Sequence, residues 1–119
     1  MLTVLAVALG GALGAPARFL TDRIAAHLWG RGLPWGTFIV NVVGTFLAVM
    51  AAVLISDPFL YRFVAVGFCG ALTTYSTLSY ETLMLAESGR WHVALGNVAA
   101  NLCGGLAAGW LAFAVAHAV

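Results

Sequence analysis

The chain contains no lysine, and charged residues make up only 8% of its 119 positions. A soluble domain carries about 25% charged residues, so this composition cannot cover a water-facing surface. A net charge of +1 excludes a broad basic face for nucleic acid. Cysteine is scarce too. Cys69 and Cys103 lie in apolar segments without CxxC or histidine spacing, and they read as small hydrophobes, not metal ligands. There is no Ser-His-Asp set, no paired carboxylates and no phosphate-binding loop, so nothing in the sequence points to an enzyme. His27, near a polar joint, His92, at the start of the last apolar segment, and His117, near the chain end, read as interfacial groups.

What is present is apolar: 63% of the residues are hydrophobic, and no separate soluble portion is left over. A spanning helix needs about 20 mostly apolar residues. Four segments meet that length: 2–20 (continuing to about 28), 35–55, 59–86 and 91–118. The short joints "WGRGLP", "SDP" and "ESGR" make neighbouring helices antiparallel. The spacing therefore predicts one all-α membrane domain over 1–119, with four transmembrane helices. A barrel would need alternating segments of about ten residues, and none is seen. The start "MLTVLAVALGGALGAPA" has the apolar run of a signal peptide but not its positive N-region, so it is read as the first span.

Trp29, Trp35 and Trp91 stand at segment ends, as interfacial anchors do. Arg23, Arg31 and Arg90, with Arg18 nearby, fall on one side, and Arg62 alone falls on the other. The positive-inside rule then orients the first and third joints to the cytoplasm. Gly10 with Gly14, and Gly105 with Gly109, form GxxxG pairs that let helix backbones approach in lipid. Such pairs serve packing within one chain or between chains. Four short helices enclose little space alone, so an oligomer is expected.

One segment stands out against this background: "GFCGALTTYSTLSYE", residues 67–81, with five serines and threonines from Thr73 to Ser79. Gly70 costs a helix about 1 kcal/mol relative to alanine, and the threonines compete for backbone hydrogen bonds. A broken third helix is the expectation, tolerated only where protein or a water-filled cavity surrounds it. Its freed carbonyls suit an ion or a close contact between subunits; the bland alternative is hydroxyls bonded back to their own helix. Thr37 and Asn41 lie four apart on the second segment, and Asn97 and Asn101 lie four apart on the fourth. Asparagine is costly in hydrocarbon and faces a bundle interior, as glue between helices or as part of a polar track. Neutral donors of this kind suit a small anion, because they replace its water without trapping it by full charge.

The stretches "GGALGAPARF", "GTFIVNVVGTF" and "GFCGALTTYSTLSYE" together resemble the Fluc (CrcB-type) fluoride channels. The resemblance implies a fluoride-selective channel of the bacterial inner (plasma) membrane, exporting toxic fluoride passively. It implies an antiparallel, dual-topology dimer with two pores, a third helix broken at its centre, and a structural Na⁺ at the dimer interface. Carried over, Gly70 and Thr73 offer backbone carbonyls to that Na⁺. Thr37, Asn41, Ser76, Thr77, Asn97 and Asn101 line the fluoride pore, Arg18 stands at the vestibule, and Glu81 is the acid that closes the third motif.

Four positions depart from the family's pattern. Its motif carries two phenylalanines whose ring edges contact the anion, and here they are Tyr75 and Leu78. Tyr75 keeps a ring and adds a hydroxyl; Leu78 loses one edge contact. Asn97 and Asn101 stand where the family has Tyr and Ser. The partner implied is a second copy, or a homologous complementary subunit that the arginine asymmetry would suit. The rival reading is a small proton-coupled multidrug exporter, which depends on an acid within its first helix. Residues 2–20 contain no acid, and Glu81 is the only embedded candidate.

Overall fold

Lipid offers no hydrogen bonds, so an apolar segment in a bilayer must satisfy its backbone internally, and a helix does this. In a computed structural model describing residues 1–30 and 32–119, every regular element is helical. In chain order these are α1 (Leu2–Trp29), α2 (Trp35–Leu54), α3 (Pro58–Tyr61), a π-helical stretch (Arg62–Phe68), α4 (Cys69–Leu72), α5 (Ser76–Glu87) and α6 (Trp91–Ala118). Three of them, α1, α2 and α6, are long and apolar enough to cross a membrane. The third expected segment, 59–86, differs: it is assembled from α3, the π-helical stretch, α4 and α5, with residues 73–75 outside any helix.

Local chemistry fixes the ends. Asp57 caps α3, its Oδ2 accepting from the Leu60 N–H at 2.9 Å, with Pro58 in the first turn. Gly30 (φ 76°) ends α1 and Gly89 (φ 85°) follows α5, backbone angles that glycine reaches without strain. These two joints meet: Arg90 Nη1 donates to the Gly32 carbonyl at 2.9 Å. The first and third joints therefore share one side, as the arginine pattern predicts. Arg31, the other cation assigned to the first joint, lies outside the described residues.

Small residues set the packing. Among the described residues, seven of the ten buried apolar ones are alanine, and glycines make the closest approaches. A Cβ on Gly10 would strike the Phe63 carbonyl and come within 2.7 Å of the Phe68 nitrogen. One on Gly14 would strike the Phe68 carbonyl. The first GxxxG pair thus seats α1 on the π-helical stretch within the chain. The second pair faces α2: Gly105 lies against Thr45, and Gly109 against Thr45 and Val49. Outside, Leu102, Leu106, Trp110 and Phe113 of α6 are exposed, a surface suited to lipid and unsuited to water. At 28 residues each, α1 and α6 are about 42 Å long at 1.5 Å per residue. They outreach a hydrocarbon core of about 30 Å, so their ends stand among headgroups, where Trp29, Trp35 and Trp91 are exposed.

Candidate functional site

The site is built around residues 73–75. Helical bonding runs out at Thr73, whose backbone is extended (φ −76°, ψ 157°), and resumes at Ser76. An uninterrupted helix would give the Thr74 N–H to Gly70 and the Thr77 N–H to Thr73. Instead the Thr74 N–H goes to Asn41 Oδ1 at 2.9 Å, and the Thr77 N–H goes to Thr74 Oγ1 at 3.1 Å. The Gly70 and Thr73 carbonyls thereby lose their helical donors. Thr74 acts as the side-chain cap of α5, satisfying one of the orphan N–H groups of its first turn.

Asn41, on α2, clamps the interruption from both sides. Its Oδ1 accepts from the Thr74 N–H, and its Nδ2 donates to the Thr74 carbonyl at 3.3 Å. The same Nδ2 donates to Asn101 Oδ1 at 2.9 Å. Asn101 Nδ2 donates to the Asn97 carbonyl at 2.8 Å and to Asn97 Oδ1 at 3.2 Å. Asn97 Nδ2 donates to Thr82 Oγ1 at 3.0 Å, and Thr82 donates to the Leu78 carbonyl at 2.7 Å. The i, i+4 pair expected to line a track is therefore buried and bonded within the chain.

Four of the remaining predicted residues, Arg18, Thr37, Thr77 and Glu81, line two cavities. One, of about 210 Å³, is lined by Arg18, Asp22, Thr37, Val40, Thr74 and Thr77 among others. The other, of about 280 Å³, reaches the joints and is lined by Asp22, Gly36, Tyr80, Glu81 and Arg90 among others. Asp22 and Gly36 are walls of both. Thr37 faces the Glu81 carboxyl, whose buried Oε1 has no hydrogen-bond partner among the described residues. Gly36 gives α1 room here, for a Cβ on it would lie 2.7 Å from Asp22 Cα.

The structure thus brings Arg18, Thr37 and Thr77 to one cavity and Glu81 to its neighbour. It gathers Asn41, Asn97 and Asn101 into a hydrogen-bond chain behind Thr74. Tyr75 and Ser76 are exposed, Leu78 is half-buried and Gly70 is exposed. Thr73 packs on α2 at Gly44, where a Cβ would collide with the threonine methyl. Sequence reasoning missed two residues. Thr74 carries the cap, and Thr82 ends the asparagine chain; for Thr74 the only signal was its place in the hydroxyl-rich motif.

An all-helical bundle of lipid-crossing segments, with an interrupted helix and uncharged donors at its centre, defines a small multi-pass membrane protein with a polar interior. The chain belongs to the CrcB family: the profile described as "CrcB-like protein, Camphor Resistance (CrcB)" matches residues 5–113. It is 45% identical over 107 residues to a Shewanella sediminis protein named "Fluoride-specific ion channel FluC", covering 87% of this chain and 86% of that one. A Hydrogenovibrio crunogenus protein of the same name is 40% identical over 116 residues, 93% of this chain and 88% of its own. "Fluoride-specific ion channel FluC 1" of Thermobifida fusca is 42% identical over 113 residues, 95% of this chain and 94% of its own.

Proposed function

We propose that the chain forms a fluoride-selective channel, not an enzyme, in a bacterial inner membrane, and that it lets cytoplasmic fluoride leave passively. The observation that carries this is the interruption at 73–75, which sets Thr74 beside Arg18, Thr37 and Thr77 in the lining of one cavity. The names of its relatives support the same anion.

Fluoride holds its water tightly, so a path must return several hydrogen bonds at once, each weak enough to let the ion go. Hydroxyls do this without a full charge. Arg18 draws the anion to the cavity mouth and Thr37 and Thr77 offer donors further in. Asn41 already gives both its amide hydrogens to the protein. It can serve an anion by releasing the longer bond, the 3.3 Å one to Thr74.

The working unit is an antiparallel dimer. Two features support a second subunit at the interruption: Gly70 has no atom within 4 Å of where a Cβ would stand, and Tyr75 is 83% exposed. Na⁺ fits the same face. Hard cations take oxygen ligands, and the Gly70 and Thr73 carbonyls have lost their helical donors. Two carbonyls from each subunit would hold it, and bound there it adds positive charge and ties the halves together.

The test is fluoride efflux from liposomes holding only this polypeptide, with and without Na⁺ and with chloride as the competing anion. Fluoride release without chloride release is expected, and it falls when Na⁺ is replaced by a bulky organic cation. Release of both halides alike, or of neither, overturns the assignment; recovery only on adding a homologous subunit replaces the homodimer with a heterodimer.

A further inference from the structure

The asparagine chain runs in one direction and closes on itself. It leaves the backbone at the Thr74 N–H and passes through Asn41 on α2, Asn101 and Asn97 on α6, and Thr82 on α5. It re-enters the backbone at the Leu78 carbonyl. The ring therefore brackets residues 74–78, the segment that carries Tyr75, Ser76 and Thr77.

Its polarity is set at fixed points. A carboxamide flipped by 180° exchanges its donor and acceptor ends. The Asn97 carbonyl belongs to a helix and can only accept, so Asn101 must turn Nδ2 toward it at 2.8 Å. That leaves Asn101 Oδ1 facing Asn41, where it demands a donor and receives one at 2.9 Å. Asn41 must then present Oδ1 to the Thr74 N–H. Each carboxamide fixes the flip of the next. Asn97 and Asn101 are buried, where a lost partner is costly and networks reinforce one another.

We propose that Asn101 is a positioning residue: it locks the Asn41 carboxamide in the flip that clamps both backbone groups of Thr74. This fixes where the Thr74 and Thr77 side chains stand in the cavity. As a role in ion passage it rests on the fluoride reading; as a brace of the interruption it does not.

Amide hydrogen exchange of the full-length chain in lipid nanodiscs separates the two. With Asn101→Ala the Thr74 N–H should exchange about five- to tenfold faster, the loss expected for one partly compensated hydrogen bond. Residues 2–29 keep their protection as the folding control. Asn101→Asp, compared at an acidic pH where it is the neutral acid, donates its O–H to the Asn97 carbonyl and keeps its C=O facing Asn41, so it should restore slow exchange at Thr74. Should Asn101→Ala unfold the chain generally, Thr82→Val breaks the ring at its far end and should raise Thr74 exchange by a smaller factor. Unchanged exchange at Thr74 in the alanine variant, or in the valine variant where that one carries the test, overturns the proposal. So does fast exchange in Asn101→Asp with residues 2–29 still protected. A wild-type chain that passes no fluoride but shows the expected exchange pattern supports the brace and removes the channel assignment.

Discussion

Asn41 is asked for two things: holding Thr74 and serving the ion. Replacing it by alanine leaves both backbone groups of Thr74 without the partners they have now. Each unsatisfied buried group costs about 1–3 kcal/mol, which is enough to rearrange a short non-helical segment and too local to undo the bundle. Asn41→Ala should abolish fluoride flux in liposomes while circular dichroism and oligomer size stay unchanged; undiminished flux would remove Asn41 from the pathway. Thr77→Val probes a donor with little change of shape. Loss of one neutral hydrogen bond is worth about 1 kcal/mol, so fluoride flux should fall by roughly fivefold to tenfold with thermal stability nearly constant. At this scale the sequence was informative about residue types and less so about partners. Thr37, Thr77 and Arg18 could be marked from their motifs. That Asn41 would meet Asn101 depends on how α2 and α6 cross, and the i, i+4 spacing of Asn97 and Asn101 does not encode it. Thr82 was invisible because a helical threonine that bonds back to residue i−4, as it does to Leu78, looks like any other.

Among the elements, the third segment carries the most information per residue. The expected interruption drew on Gly70 and the run of threonines, and helical bonding does stop at Thr73. The π-helical stretch ahead of it left no mark in the sequence, because after Arg62 the run "FVAVGF" is apolar on every side and periodicity cannot separate 3.6 from wider turns. It rests on α1. Gly10 and Gly14 carry no side chain at the points where the backbone of residues 63–68 comes closest to that helix. Gly14→Ala therefore puts a methyl against the Phe68 carbonyl, a backbone group that cannot rotate aside. It should lower stability by about 1–3 kcal/mol, as overpacking does, read as a lower unfolding temperature in detergent. Gly11→Ala is the control: its nearest contacts would be 3.9 Å away, an ordinary separation, and since alanine favours a helix over glycine the variant should unfold at or slightly above the wild-type temperature. Equal unfolding temperatures for the two variants would mean that α1 does not rest on this stretch.

For the whole molecule, the proposed route is a leak, and a leak has only the ion's own gradient and the membrane voltage to drive it. One elementary charge crossing 100 mV changes free energy by about 2.3 kcal/mol, and each 1.4 kcal/mol is tenfold in an equilibrium ratio. A cell with a negative interior of that size would hold free fluoride about fiftyfold below the outside level without spending metabolic energy. The rival exporter makes the opposite demand, because a coupled pump needs a proton gradient and an embedded acid to carry the proton. Glu81 lines the cavity that reaches the joints together with Asp22, and Asp22 also lines the cavity of Thr37 and Thr77. Liposomes clamped by a potassium gradient and valinomycin distinguish the two. Fluoride distribution should follow the imposed voltage, with the inside-to-outside ratio falling about tenfold for each 60 mV of inside-negative potential. Collapsing the pH difference at constant voltage should leave it unchanged. Distribution that tracks the pH difference in place of the voltage would make the polar interior a proton-coupled carrier, with Glu81 as the residue to substitute next.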